Sequence, residues 1–304
     1  INSTPKKTKP SCWTYLAISL TLVVGVIVPQ LNAAPKTETY QSFNVDVVGA
    51  GKPVIVIPGL MSDSRIWQDT VTALQNDYQL HVISIAGFAG TPAIAGELLP
   101  TVKQDLLRYI QQQQLQQPAI VGHSLGAFLA FALASAAPKQ IGTVVAVDGL
   151  PYIAPLFSRN NATQVSDMQQ QALQLKQYYQ RLNREQLLAT ATQGIYIQAR
   201  SAEHQQLVLA MAAASDSHSV GQALYELLTT DLRPQVGAIK SKVWLLGASG
   251  ALPEAQQPQA EALYQQQITT IANAHLLMNT NSRHFMMLDE PEWFITTLRL
   301  ALQE

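Results

Sequence analysis

Cysteine is almost missing from this chain of 304 residues. Cys12 is the only one, so neither a disulfide framework nor a cysteine-bound metal can organise the fold. Charge is scarce as well: 13% of residues are Asp, Glu, Lys or Arg and the formal net charge is −1. No basic stripe with interleaved aromatics appears, which argues against nucleic acid as a partner. The six histidines are scattered without metal-ligand spacing, and no glycine-rich phosphate loop is present, so no metal and no cofactor is expected. Glutamine stands where ionic side chains usually would, giving a polar but weakly ionic surface. With 47% hydrophobic residues, the chain can fill one large core, or one core with an insertion.

One apolar run stands apart from the rest. Lys6, Lys7 and Lys9 precede it, it covers residues 13–28, and Leu31-Asn32-Ala33 supplies small-residue cleavage chemistry before Ala34. That order is the pattern of a secretory signal peptide over residues 1–33, predicting a secreted or periplasmic protein. The run is short for a membrane span, and a membrane is expected only if it stays uncleaved as an anchor. Cys12 lies ahead of the run, unlike a lipoprotein cysteine, and would leave with it.

From residue 34 onward the pattern alternates. Phe43, Val45 and Val47 give residues 37–48 strand character before the Gly49-Ala50-Gly51 turn. Residues 53–57 are a continuous β-branched run, as in a strand buried on both faces of a parallel sheet. Residues 66–74 are predicted helical, starting near Asp63 or Ser64, and residues 81–85 form the next strand. Val102, Leu106, Leu107 and Ile110 recur at helical spacing, predicting a helix over 101–117 with a glutamine-rich solvated end. Strands follow at 119–121 and 141–147, with a helix to about Ala137 between them. Residues 151–230 read as helices without a strand; strands resume at 242–247 and 275–279, flanking a helix over 254–272. The alternation predicts an α/β fold with a mostly parallel, doubly wound sheet. Ligands of such sheets sit beyond the strand carboxyl ends, where Leu60, Ser124 and Asp148 all fall.

The stretch that carries chemistry is Gly122-His123-Ser124-Leu125-Gly126. An apolar strand enters it and an Ala/Leu/Phe-rich helix leaves it. The sharp turn between them strains the central serine and lifts its hydroxyl clear, while the Leu125 N–H opens the new helix and points where an oxyanion would form. This resembles the nucleophile elbow of the α/β-hydrolase superfamily. Pro58-Gly59-Leu60-Met61-Ser62 is similar to the His-Gly loop of that superfamily, with proline in place of histidine; the resemblance assigns the second oxyanion donor to the Leu60 N–H. Gly87-Phe88-Ala89-Gly90-Thr91-Pro92 resembles its Gly-Phe-Gly loop, and residues 282–294, containing His284, resemble its histidine loop and final helix. The resemblance covers nearly all of the chain after residue 33. It implies a hydrolase core made of residues 34–150 and 231–304, with residues 151–230 as a helical cap. Met168, Leu173, Leu175, Tyr178, Tyr179, Met211 and Leu224 read as helix packing within that cap.

A serine hydroxyl needs a base within reach, and the base needs an orienting acid. Ser124 is the candidate nucleophile and His284 the candidate base. His123 is expected to pack, His81 and His275 to begin strands, and His204 and His218 to lie in the cap. The acid is the open position. The superfamily usually carries it as Gly-x-x-Asp after the strand at 244–247, but here the aspartate position holds Gly250. A variation within the superfamily sets the acid one strand earlier, which Asp148 fits; Asp216, Asp231 and Glu254 are the alternatives. Serine at the elbow argues against haloalkane dehalogenase and epoxide hydrolase chemistry, whose members carry aspartate there. The expected activity is a serine hydrolase, a carboxylesterase acting on a small ester-like molecule through an acyl-enzyme. A carbon–carbon bond hydrolase or a cofactor-free dioxygenase on the same scaffold is one rival. A non-catalytic binding protein, motivated by the missing aspartate after Gly247, is another.

Overall fold

A computed structural model describes residues 1–3 and 40–303, so the expected basic, apolar and cleavage parts of the N-terminal segment lie outside the described residues. The chain begins its fold with strands β1 (Phe43–Gly49) and β2 (Lys52–Ile57), helix α1 (Gln68–Leu74) and strand β3 (Tyr78–Ile85). Helix α2 (Leu99–Gln112), strand β4 (Ala119–His123), helix α3 (Leu125–Ala136) and strand β5 (Val144–Val147) follow. Six helices are then inserted: α4 (Ala154–Ser158), α5 (Val165–Gln180), α6 (Arg184–Gln193), α7 (Ile195–Gln198), α8 (Ala202–Ala213) and α9 (Ser217–Thr229). Strand β6 (Val243–Ala248), helix α10 (Gln257–Gln267), strand β7 (Ala274–Asn279) and helices α11 (Met286–Asp289) and α12 (Pro291–Gln303) complete the chain.

The seven strands form one sheet in the order β1-β3-β2-β4-β5-β6-β7. Only β1 runs antiparallel, against β3; every other neighbour is parallel. The central strands are buried on both faces, as their unbroken apolar runs require: Val54–Ile57, Ile120–Val121 and all four residues of β5 are buried. Helix α3 has ten buried residues and packs against the middle of the sheet. Thr39–Glu304 forms a single unit, and the inserted helices do not separate from it. Among the described residues no helix is long and apolar enough to cross a membrane.

Two helices are shorter than their patterns suggest. Helix α2 stops at Gln112, not 117, because Gln114 turns left-handed (φ 53). The Leu115 N–H donates to Ile110 O and the Gln114 N–H to Gln111 O, the bond pair of a Schellman ending, here without the usual glycine. Pro118 also disfavours helix at Gln117. Helix α10 starts at Gln257 because Pro258 suits a first turn, and it stops at Gln267, after which Ile268 and Ile271 turn into the core.

His81 lies inside β3, not at its start, and is buried with Nδ1 2.5 Å from the Tyr109 hydroxyl and Nε2 3.2 Å from Gln79 Oε1. Burial lowers its pKa from the ordinary 6.5 to about 4. Between those values the unfolded chain binds a proton that the folded chain refuses, so this contribution to stability is full above about 6.5 and lost as pH falls towards about 4. The loss is at most about 3 kcal/mol. Urea unfolding of His81→Gln should therefore show a weaker fall in stability between neutral pH and pH 4 than the unsubstituted protein; equal falls would refute the assignment.

Candidate active site

Three loops meet at the carboxyl ends of β2, β4 and β5, and each contains a non-glycine residue with positive φ: Met61 (56°), Ser124 (55°) and Asp148 (46°). Ser124 stands between β4 and α3 with ψ −113°, a strained conformation held from both sides. Its N–H donates to Val147 O at 2.8 Å, and its C=O accepts from Ala127 and Phe128 N–H. A Cβ at Gly122 would lie 2.0 Å from Gly126 O, and one at Gly126 would lie 2.2 Å from Ile57 O. Only hydrogen atoms fit between strand and helix there. On the β2 side, a Cβ at Gly59 would lie 2.8 Å from His123 Nδ1 and 3.1 Å from Ser124 Cβ. The loop carrying Leu60 is therefore in contact with the serine turn. Among the described residues neither the Leu60 nor the Leu125 N–H is donated to a protein acceptor, which leaves two backbone donors free beside Ser124.

His284 follows β7, 160 positions after the serine turn, yet sits against it. Its ring centroid is 4.5 Å from that of His123, and His123 Nε2 donates to His284 O at 3.1 Å. His123 is wholly buried; burial, and next the neighbouring His284, hold its pKa well below the usual imidazole value. It is therefore a neutral packing and anchoring group. His284 Nδ1 lies 2.6 Å from Asp148 Oδ2. With Nδ1–H committed to that carboxylate, Nε2 is the ring nitrogen left to accept a proton. No hydrogen bond joins Ser124 Oγ to His284 among the described residues.

Asp148 is the carboxylate that meets His284. Its buried side chain is gripped at the other oxygen, where Oδ1 accepts from Ala248 N–H and from the Tyr264 hydroxyl, both at 2.8 Å. The alternatives are engaged elsewhere. Asp216 caps α9 through Ser219 N–H and Oγ, Asp231 is bound by Arg233, and Glu254 is exposed ahead of α10. Position 250 has no room for a side chain: a Cβ at Gly250 would lie 2.6 Å from the backbone of both Asn281 and Ser282. The Gly250 N–H donates to Ser282 O, tying this loop directly to the one that carries His284. The role of Tyr264 has no local signal in the sequence, because its partner is 116 residues away.

The inserted helices touch both flanks of the site. At the β3 end, Asp216 N–H donates to Gly87 O and Ala89 N–H to Ser215 Oγ. At the β7 end, Ile197 O and Gln198 O accept from the N–H groups of His284 and Phe285. Asp289 accepts from Arg200 N–H and Arg283 N–H, which fastens the same junction. A cleft of about 400 Å³ between residues 94–98 and helices α5 and α9 is lined by none of Leu60, Ser124, Asp148 or His284.

The sequence matches the family model described as the alpha/beta hydrolase fold over residues 52–298. It is 32% identical over 135 residues to the biotin biosynthesis bifunctional protein BioHC of Cellvibrio japonicus, covering 41% of this chain and 26% of that protein. It is 26% identical over 113 residues to a pimeloyl-[acyl-carrier protein] methyl ester esterase of Aeromonas hydrophila, covering 36% of this chain and 42% of that one. The chain thus spans less than half the length of these curated relatives. An esterase structure from Exiguobacterium antarcticum superposes with a TM-score of 0.71 at 18% identity, covering 87% of this chain and 98% of that one, a likeness of fold.

The crowding at Gly250 can be measured. Gly250→Ala should lower unfolding stability by about 2 kcal/mol or more, since backbone must move to admit one methyl group. Gly194→Ala, where nothing lies within 4 Å of the new atom, should stay within about 0.5 kcal/mol of the unsubstituted protein. Urea denaturation of the two variants checks the contrast.

Proposed function

Because this chain belongs to the α/β-hydrolase fold family, we propose that it is a serine esterase that cleaves small carboxylic esters through an acyl-enzyme on Ser124. The observation that carries the reading is the 2.6 Å contact between Asp148 and His284, formed beside the strained serine turn. It counts against the reading as a non-catalytic binder, whose ground is the missing aspartate after Gly247. The esterase names of the relatives support the same reaction class.

In this mechanism Ser124 Oγ attacks the ester carbonyl carbon while its proton passes to His284 Nε2. The imidazolium is stabilised by Asp148 through Nδ1–H. The carbonyl oxygen becomes an oxyanion and takes hydrogen bonds from the Leu60 and Leu125 N–H groups. Collapse breaks the bond to the alcohol oxygen, which leaves with the proton from His284. Water then gives a proton to His284 and attacks the acyl-enzyme through a second oxyanion. Release of the carboxylic acid returns the proton to Ser124. The inserted helices serve as a cap beside this site, joined to it through Gly87 O at one flank and through Ile197 O and Gln198 O at the other.

A fluorophosphonate probe should label Ser124, and Ser124→Ala should abolish both labelling and turnover of p-nitrophenyl esters. Asp148→Asn should lower kcat by on the order of 10³-fold or more, through the wrong imidazole tautomer. Folded protein that neither labels nor turns over such esters would overturn the reading. Export is a separate proposal resting on Lys6, Lys7, Lys9 and the apolar run after them. N-terminal sequencing of protein recovered outside the cytoplasm should begin at Ala34, and recovery with residues 1–33 attached would refute cleavage.

A further inference from the structure

We propose that Tyr264 is a positioning residue for Asp148: its hydroxyl holds the carboxylate in the one orientation that presents Oδ2 to His284. The inference rests on the triad reading above and adds a member to it. Tyr264 lies on α10, buried, with its hydroxyl 2.8 Å from Asp148 Oδ1. Oδ1 also accepts the Ala248 N–H at 2.8 Å, so two donors pin one oxygen while the other faces the imidazole at 2.6 Å. A carboxylate on a short side chain is otherwise free to turn about its Cβ–Cγ bond. Two fixed donors on one oxygen remove that freedom.

The surroundings of Tyr264 are shaped to this contact. A Cβ at Gly247 would lie 2.9 Å from Tyr264 Cδ1 and 2.3 Å from Met278 Sδ, so the absent side chain on β6 is what lets the ring pass beneath the strand end. Burial first, and then the Asp148 charge and hydrogen bond, push the Tyr264 phenol well above its usual pKa. It therefore stays a donor throughout the range in which an esterase works. The arrangement also accounts for the site of the acid. With Gly250 closed to any side chain, the acid sits after β5, one strand nearer the serine turn, and α10 supplies the support that its new place requires.

The test is Tyr264→Phe, which keeps the ring and its packing and removes only the hydroxyl. Losing one charge-assisted hydrogen bond to the acid should lower kcat about 10-fold with KM within about twofold, because the interaction acts through the base and not on bound substrate. In an Asp148→Asn background the same change should cost nothing further, since Tyr264 has no route to the reaction except Asp148. The low-field proton resonance of His284 Nδ1–H, assigned by its loss in His284→Ala, should also shift in Tyr264→Phe. That resonance is read without substrate, so it judges Tyr264 even if no ester is hydrolysed; failure of the esterase reading shows instead as turnover surviving Ser124→Ala. An unchanged kcat and an unmoved resonance in Tyr264→Phe would overturn the proposal. So would a full multiplicative loss on top of Asp148→Asn.

Discussion

Everything at the site depends on backbone meeting backbone at Gly122 and Gly126. Strand β4 meets helix α3 at Gly122 and helix α3 meets strand β2 at Gly126 so closely that a Cβ on either glycine would strike a carbonyl oxygen within 2.2 Å. That approach compresses the turn and forces Ser124 to φ 55°, a conformation that costs about 1–3 kcal/mol for a residue with a side chain. The cost is offset by the burial of α3, whose ten enclosed residues anchor the helix in the sheet. Strain and packing are thus two ends of one constraint. A looser junction would relax the serine and also withdraw the free N–H of Leu125 from its side.

The turn at Asp148 shows how such a constraint propagates. Asp148 reaches its left-handed conformation (φ 46°) directly after β5, where its N–H is held by Leu246 O. Gly149, the next residue, has no room for a Cβ: one would lie 2.3 Å from Ser124 O. The turn that presents the carboxylate is therefore packed on the turn that presents the hydroxyl. Across the sheet, Gly250 lets the loop after β6 lie on the backbone of Asn281 and Ser282, just before His284. At Gly59, Gly149 and Gly250 two loops share one space, and each shared space fixes how far apart Ser124, Asp148 and His284 can lie.

These facts explain which parts were legible in the amino-acid order. The serine turn is contiguous, so its strand, glycines and helix announce it directly. The strands of the central sheet were equally plain, because burial on both faces writes an unbroken apolar run. The acid stayed open among Asp148, Asp216, Asp231 and Glu254, since choosing required knowing which carboxylate faces His284 and which are spent on a helix cap or on Arg233. Tyr264 was invisible for a deeper reason. Its partner lies 116 residues away, and its access depends on the emptiness of Gly247, a fact of packing that no local pattern records. The early end of α2 escaped because a glutamine, not a glycine, takes the left-handed position.

The pair of histidines at the centre of the site resolves by the same reasoning. Two imidazoles with centroids 4.5 Å apart would oppose each other if both carried charge. Full burial prevents this by keeping His123 neutral, and His284 is the ring with a carboxylate beside it. His123 then contributes through geometry alone, its Nε2–H on His284 O fastening the histidine loop to the residue before Ser124. The inserted helices fasten the same loop from the other side, through Ile197 O and Gln198 O. An imidazole held by β4 on one side and by the insertion on the other has few ways to drift. A shift of the insertion would therefore be felt at His284 as well as at Gly87.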